Sequence, residues 1–508
     1  MTSETPAGGA GPLFVVSNRE PYLHQRRPDG TIVAVPTTGG VAVALDALMR
    51  ERGGTWIAHG AGAADRDVVD ANDHVRVPPG EPSYSLRRIW LTADEERRYY
   101  GGFSNEGLWP LCHIAHVRPV FRSEDWAAYR AVNVRFAEAI ASELGDSRGP
   151  VFIQDYHLAL VASELRERKP GVRTALFWHI PWPHPDRLRM CPWRREIMSG
   201  LLANDLLAFQ LERDRRNFLL SVRDELDAHV DHAVVRFSGH TTHVAAAPIG
   251  IDFDRITAFA ASPDLPLEMD RLRRELRIDT PLVGVGVDRL DYTKGIPERL
   301  DAIDRLLTRR PDLRSELLFV QVGVPSRSKL ESYAAIEQEI DAKVADINRR
   351  HGSGPDNGPI RYRKSALKLR RLVALYRLAN FCIVSSLHDG MNLVAKEFVA
   401  ARDDNDGVLV LSELTGAAQE LKQALLINPY DIDGFARAIE RAIEMPAPER
   451  HARMRVLRRA VAGHDVFLWA SDILEHLERT GPEDLSYRRG GTTRPEPPRG
   501  VKLQNVRA

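Results

Sequence analysis

Two short segments of this 508-residue chain gather side chains suited to an anionic ligand. In Val283-Gly-Val-Gly-Val-Asp-Arg-Leu-Asp-Tyr-Thr-Lys-Gly295 an apolar run ends in a polar loop that carries Arg289 and Lys294. Arg offers a rigid fork of donors and Lys a mobile point charge. The combination suits a diphosphate whose leaving group gains negative charge as a sugar departs. The same pattern is equally well met if Arg289 pairs with Asp288 or Asp291 and Lys294 stays in water. The second segment, Ser385-Ser-Leu-His-Asp-Gly-Met-Asn-Leu-Val-Ala-Lys-Glu-Phe-Val399, again reads as strand, loop and helix. The predicted helix starts near Asn392, where free backbone N–H groups make a seat for phosphate. Asp389 in the loop is placed to accept from sugar hydroxyls and Glu397, more than a turn along the helix, from those of a ribose. Taken singly, such residues are more often a turn residue and a surface acid.

The N-terminal half adds weaker signals. The pair Gly39-Gly40 precedes a helical pattern, and paired glycines let backbone approach a phosphate closely, although many only form a turn. Gln154-Asp-Tyr-His157 and Trp178-His-Ile-Pro-Trp182 each follow an apolar run, which puts Asp155 and His179 at the ligand-binding edge of a sheet. A lone His beside a strand is more often structural, and that holds for His157 too. Tyr100 and Trp109 suit the face of a sugar and suit a core better when taken alone. His113-Ile-Ala-His116 lacks a third metal ligand, and the acidic pair Asp431-Ile-Asp433 follows Asn428-Pro429, where helix capping accounts for it. No Gly-x-x-x-x-Gly-Lys-Ser/Thr loop is present, and Gly284-Val-Gly286 does not continue into a dinucleotide fingerprint, so kinase and dehydrogenase readings lose ground.

The elements that must hold these residues are short apolar runs separated by helical patterns: Leu13–Ser17, Val151–Ile153, Thr174–Trp178, Leu282–Val287, Leu317–Val322, Phe381–Ser385 and Gly407–Leu411. Such runs read as buried parallel strands of an α/β fold. Ala260-Ala-Ser-Pro-Asp-Leu-Pro266 suits a linker or exposed turn between two sheets, with a boundary near residue 250. Helical periodicity over Leu300–Arg309 and Leu367–Leu378 carries its charges on the outer face. Seventy basic and seventy acidic residues cancel, so no global field favours nucleic acid or an anionic membrane, and the expected partner is small. Cys112, Cys191 and Cys382 show neither pairing nor zinc spacing, which fits the cytoplasm. No stretch has signal-peptide character or the length of a membrane span. Residues 1–11 and 481–508 are expected to be disordered.

Set in order, Ser17-Asn-Arg19, Asp155-Tyr-His157, His179-Ile-Pro181, Arg289-Leu-Asp-Tyr-Thr-Lys-Gly295 and Asp389-Gly-Met-Asn-Leu-Val-Ala-Lys-Glu397 resemble the trehalose-6-phosphate synthase family from residue 13 to residue 475. The resemblance implies the GT-B architecture. Two Rossmann-like domains, an acceptor domain over 12–250 and a nucleotide-sugar domain over 251–465, face each other across a cleft, and a helix over 466–480 crosses back. It implies transfer of glucose from UDP-glucose or GDP-glucose to glucose 6-phosphate, with retention at the anomeric carbon and without a metal or cofactor, and leaves a homo-oligomer open. Carried over by position, Arg289, Lys294 and the Gly39-Gly40 pair hold the donor diphosphate and Glu397 the ribose. Asp389 with the backbone of Met391, Asn392 and Leu393 holds the glucose, and His179 lies near the transferred sugar. Arg19, Arg327 and Tyr100 clamp the acceptor phosphate, while Trp109 and Asp155 position its ring.

Two departures bear on the acceptor. The family's Trp-x-Gly-Trp reads Trp56-Ile-Ala-His59 here, and its Arg before Asp-Gly-Met-Asn is His388. The stretch between Arg19 and Gly39 is also extended and is expected near both sugars. The alternatives are the same donor with another acceptor, as in glucosylglycerol-phosphate or pseudo-sugar-coupling synthases, or a non-catalytic regulatory homologue.

Overall fold

Short runs of Val, Leu, Ile and Phe between helices have no face to give to water, and each expected run is a buried strand in the computed structural model. The structure describes residues 11–37, 40–328, 330–352, 354 and 357–479. The expected tails, apart from Gly11, lie outside the described residues, as does Gly39.

The strands form two principal sheets. The larger has ten strands, in the order His229–Asp231, Val234–Phe237, His240–Ala246, Leu206–Phe209, Thr174–Trp178, Val151–Gln154, Leu13–Arg19, Gly54–His59, Tyr84–Ile89 and His74–Val77. From His240–Ala246 to Tyr84–Ile89 all neighbours are parallel. The smaller is wholly parallel, in the order Ile360–Arg363, Leu317–Val324, Leu282–Arg289, Phe381–Val384, Val408–Ser412 and Leu425–Ile427. The parallel part of each sheet has one place where the strand order reverses: between Leu13–Arg19 and Val151–Gln154 in the larger, and between Leu282–Arg289 and Phe381–Val384 in the smaller. Loops leaving such neighbours diverge to opposite faces and open a crevice at the carboxyl edge. Arg19, Asp155, Arg289 and the loop of Asp389 all leave the sheets at these points.

The chain passes between the two halves twice. The segment after Ala246 crosses near residue 250, and Ile251 bridges to Asp465 where the chain returns. Ala260–Pro266 is the turn between helices Phe253–Ala260 and Leu265–Leu276. The last described helix, Val466–Arg479, lies against the first half. Trp469 meets the rings of Phe152 and Phe177 with centroids 5.9 and 4.9 Å apart, and Glu478 pairs with Arg52 at 2.9 Å. No helix among the described residues is long and apolar enough to cross a membrane.

The extended stretch after Arg19 is a hairpin, Tyr22–Arg26 with Ile32–Pro36, pinned from within. Arg88, 1% exposed, donates from Nε to Glu20 at 2.7 Å and from Nη2 to the Tyr22 carbonyl at 3.0 Å, and pairs with Asp65 at 2.9 Å. Asp65 in turn accepts from the His24 backbone N–H at 2.7 Å. One guanidinium cannot balance two buried carboxylates. Burial raises the Glu20 carboxyl to about 8 despite Arg88, whereas hydrogen bonds from His24 and Glu20 hold Asp65 below the usual range against its burial. The Thr37 hydroxyl donates to the Glu20 carbonyl at 2.6 Å and ties the exit of the hairpin to its entrance. Replacing Arg88 by Met leaves those carboxyls without their cation. The expected result is a loss of about 3–5 kcal/mol, read as a lower urea midpoint with faster amide exchange over 22–36. A midpoint equal to the parent's would show that the network does not hold the hairpin.

Candidate active site

The crevice between the two sheet edges is a cavity of about 510 Å³. Its lining takes in Arg19, Tyr100, Trp109, Asp155, His179, Arg289, Lys294, Arg327, Asp389, Met391, Asn392, Leu393 and Glu397. Every site residue expected from the sequence is therefore in one place, with three qualifications. Gly39 is outside the described residues. Gly40 begins the helix Gly40–Arg52, but Thr37, Val41, Ala42 and Leu45 line the cavity there. The hairpin was expected near both sugars, and among its described residues only the two ends, Arg19 and Thr37, reach the cavity; its strands are committed to the Arg88 network.

On the smaller sheet, the ambiguity over Arg289 and Lys294 resolves. Asp288 is held by the buried Arg299 at 2.6 Å, and Asp291 accepts from the Thr293 N–H at 3.0 Å and faces Arg327 at 3.6 Å. Arg289 instead turns its guanidinium toward Trp109, 5.6 Å from the ring centroid. Lys294, 8% exposed, is not solvated: its Nζ donates to Asp389 Oδ2 at 2.5 Å. The loop can tuck in so tightly because Gly295 follows in a left-handed conformation, where a Cβ would lie 2.2 Å from the Ser385 carbonyl oxygen. Burial would raise the Asp389 carboxyl, but Lys294 and the Asn392 amide outweigh it and hold the group at about 2. Asn392 caps the helix Leu393–Ala401, accepting from the Ala395 N–H at 3.3 Å. Glu397, one turn on, faces the cavity with its carboxyl raised to about 7 by burial, against a 3.4 Å hydrogen bond donated by Tyr376.

Across the cavity, Tyr100 and Trp109 sit at either end of a π-helical stretch, Arg97–Leu108, which runs into the short helix Trp109–Cys112. Wider π turns are a common device for presenting side chains at functional sites. Arg19 donates to the Tyr100 hydroxyl at 3.2 Å, and Arg327 lies over the Trp109 ring at 4.3 Å and donates to Tyr333 at 2.5 Å and to Tyr156 at 3.4 Å. Burial would raise the Tyr100 phenol, yet Arg327 and Arg19 bring it down to about 7. A field strong enough to hold a phenolate near neutral pH is a field for a phosphate dianion.

Between these seats lie Asp155 and His179. Asp155 Oδ1 accepts from the N–H groups of Tyr156 at 2.9 Å and His179 at 3.1 Å, and burial raises its carboxyl to about 6 in spite of those bonds. Burial pushes His179 down to about 3, so its ring is neutral, and its Nε2 lies 3.0 Å from Gln154 Oε1. Asp155, Arg327 and Asn392 all have positive φ, at 73°, 55° and 79°. Non-glycine residues in this region are strained, and strain of this kind gathers where side chains must point into a site. Trp109 Nε1, Gln154 Nε2, His157 Nε2 and Arg327 Nε are buried in this same wall without a protein partner. Such atoms mark a surface built to meet polar groups of a ligand. Among the described residues no group of three His, Cys, Asp or Glu side chains is arranged for a metal. His113 is absorbed into the interface, stacked on Trp109 at 4.1 Å, and Asp431 caps a helix through the Gly434 N–H, as capping predicts.

Gln154, Tyr156 and Tyr333 were given no role by sequence reasoning. Tyr156 stands inside the Asp155-Tyr-His157 motif, which is the only local signal; Tyr333 has none.

A model of Glycosyltransferase family 20 matches residues 12–479. The trehalose-6-phosphate synthase of Mycolicibacterium smegmatis is 40% identical over 494 residues, 96% of each chain, and that of Mycobacterium avium 38% over 491 residues, 95% of this chain and 98% of the relative. Among solved structures, an α,α-trehalose-phosphate synthase (UDP-forming) from Burkholderia xenovorans in complex with glucose 6-phosphate superposes with a TM-score of 0.82 at 33% identity, covering 92% of this chain and 100% of that one. An E. coli structure bound with UDP-2-fluoro glucose gives 0.81 at 32% identity, covering 92% and 99%. The two facing sheets are those of a GT-B fold.

The raised Asp155 carboxyl has a cost that can be measured. In the unfolded chain it ionises near 3.9 and in the fold near 6, so folding takes up a proton in that window and stability falls as pH rises through it. Asp155→Asn keeps an oxygen for the two N–H donors and removes the charge. It is expected to be more stable than the parent at pH 8, by about 1–3 kcal/mol, and equal to it at pH 4, in thermal unfolding. A variant no more stable at pH 8 than at pH 4, relative to the parent, would contradict this.

Proposed function

Since this chain belongs to glycosyltransferase family 20 and is a hexosyltransferase, we propose that it transfers glucose from a nucleotide diphosphate glucose, UDP-glucose or GDP-glucose, to glucose 6-phosphate, giving α,α-trehalose 6-phosphate with retention at the anomeric carbon. The observation that carries the reading is that one cavity holds two cationic seats, Arg289 with Lys294 and Arg19 with Arg327, and both substrates of this reaction bear phosphate. Relatives named for this synthase activity, and neighbours that hold glucose 6-phosphate or a UDP-glucose analogue, support it.

In this mechanism the diphosphate lies against Arg289, Lys294 and the helix start after Asn392, with Glu397 at the ribose. Asp389, with the backbone of Met391 to Leu393, takes the glucose hydroxyls. Arg19, Tyr100 and Arg327 hold the acceptor phosphate, and Trp109 and Asp155 set the acceptor ring so that its anomeric hydroxyl approaches the face from which the diphosphate leaves. As the donor's C1–O bond breaks, the acceptor oxygen bonds to C1 and its proton passes to the departing phosphate oxygen. The growing charge on that phosphate is met by Arg289 and Lys294, so the reading includes neither a metal nor a dedicated protein base. Neutral His179 sits beside the transferred sugar as a hydrogen-bonding group.

The case for another acceptor rested on His59 and the hairpin. Favouring glucose 6-phosphate, His59 does not line the cavity, and Trp56, which does, donates from Nε1 to Ser17 Oγ at 2.8 Å. The three free cysteines are buried, which suits the cytoplasm.

The test is turnover by the purified protein of UDP-glucose or GDP-glucose with glucose 6-phosphate, glycerol 3-phosphate or no acceptor. Trehalose 6-phosphate is the expected product. Nucleotide release with glycerol 3-phosphate alone would replace the acceptor, and no turnover with any pair would point to a regulatory homologue. Lys294→Ala is expected to lower kcat about 100-fold, and Arg327→Ala to raise KM for glucose 6-phosphate at least about tenfold with a smaller effect on the donor. Equal, small effects from both would contradict the roles assigned.

A further inference from the structure

The run Asp389–Glu397 contains one charged side chain that does not reach the cavity, Lys396. It is fully buried in the helix Leu393–Ala401. Its Nζ donates to the Ile249 carbonyl at 2.8 Å and to both carboxylate oxygens of Glu420 at 3.0 Å each. Ile249 belongs to the first crossing between the lobes. Its own N–H donates to Gln210 Oε1, at 3.0 Å, just beyond the strand Leu206–Phe209 of the larger sheet. A continuous path therefore runs from the first lobe, through both polar groups of one crossing residue, into the helix whose start and Glu397 face the cavity.

The second crossing meets the same node. Glu420 Oε2 lies 4.0 Å from His464 Nδ1, and the Val466 N–H donates to the Ile251 carbonyl at 3.2 Å. The two crossings touch so closely that a Cβ on Gly250 would lie 1.9 Å from the His464 carbonyl oxygen. A buried ion pair is a weak source of stability, because desolvation offsets most of its Coulomb energy. What this one supplies is direction: an ammonium has three donors, and all three are aimed at acceptors on two different segments. An apolar side chain would fill the space without setting an angle.

We infer that Lys396 is a positioning residue for the donor substrate: it fixes the angle between the helix Leu393–Ala401 and the first interlobe crossing, and so the register in which the donor seat faces the other lobe. The inference rests on the donor reading given above for that helix. It assigns Lys396 no contact with substrate. The consequence is selective. Loosening the link displaces Met391 to Glu397 relative to the first lobe, whereas Arg19 and Tyr100 belong to the first lobe and Arg327, which follows a strand of the second, is held against the first by Tyr156 and Trp109, so the acceptor seat keeps its place.

The test is steady-state kinetics of the full chain carrying Lys396→Met together with Glu420→Leu, which removes the pair without leaving a lone buried charge. KM for the nucleotide sugar is expected to rise about tenfold while KM for the acceptor stays within about twofold and kcat falls by less than about threefold. A merely structural role would lower the amount of active enzyme and leave both KM values alone, and that result overturns the inference, as does a donor KM equal to the parent's. If the double variant does not fold, Glu420→Gln carries the same test, since it leaves an oxygen for the ammonium but removes its counter-charge. A donor KM raised about threefold or more supports the link, and the parent's value overturns it. Calorimetric titration of the parent with UDP and GDP separates the two levels of argument. Binding of neither would remove the donor reading and this inference with it, whereas binding with unchanged variant kinetics removes the inference alone.

Discussion

The ion pair between Lys294 and Asp389 is the joint on which the donor side of the cavity depends. It links the loops that leave two neighbouring strands, Leu282–Arg289 and Phe381–Val384, on either side of the place where the strand order reverses. A buried ammonium must have a counter-charge, and here the same carboxylate oxygen also receives the Ser386 hydroxyl at 3.2 Å and the Asn392 amide at 3.2 Å. Asn392 uses its other end to cap the helix that follows. Lysine, loop and helix start are thus one hydrogen-bonded unit, and none can be placed without the others. That unit then sets the distance across the crevice: a Cβ on Gly390 would lie 2.4 Å from the His179 carbonyl oxygen, so the loop packs backbone to backbone against the opposite lobe.

Much of this architecture was legible in the sequence, for reasons that differ by element. Parallel strands buried on both faces are near-continuous apolar runs, so Thr174–Trp178 and Val408–Ser412 announce themselves. Gly54–His59, opening with Gly-Thr, and the short Leu206–Phe209, lodged behind a helix, do not. Arg289, Lys294, Asp389 and Glu397 were readable because each lies in a run whose neighbours already imply strand, loop and helix. Tyr333 was not: it lies six residues from Arg327 and acts by holding that arginine, which is also held from the opposite lobe by Tyr156, 171 residues away. The hairpin after Arg19 misled for a related reason. Its direction is set by Arg88 and Asp65, and nothing within the stretch itself signals that Glu20 and His24 have buried partners 41 to 68 residues on.

The cavity wall departs from what would make the chain most stable. Asp155, Arg327 and Asn392 hold backbone conformations that glycine adopts more easily, and Asp155 and Glu397 carry carboxyls whose ionisation burial opposes. Other elements follow the ordinary rules: the helix Ile432–Glu444 buries Phe435, Ala436, Ile439 and Ala442 on one side and leaves Asp433, Arg437, Arg441 and Glu444 exposed. Three such conformations and two such carboxyls brought together in one wall, where the surrounding hydrogen bonds over-determine each residue, are what a preorganised site requires. His388 shows how a change of residue type is absorbed. Where the resemblance implies Arg, its neutral imidazole accepts from the Ile114 N–H at 3.3 Å and lies edge-on to His113, so this contact between the lobes needs no charge.

The return of the helix Val466–Arg479 to the first lobe makes the order of synthesis matter. Phe152 and Phe177 leave the ribosome early, yet the ring that covers them is Trp469. At about 5–20 residues per second, the wait between Phe177 and Trp469 is on the order of 15–60 s. During that interval the nascent first lobe has its strands but lacks part of its apolar cover, a state in which a chaperone has a definite surface to hold. Completion of the first lobe thus waits for the second lobe to be made, and it coincides with the moment the second crossing between the lobes is formed.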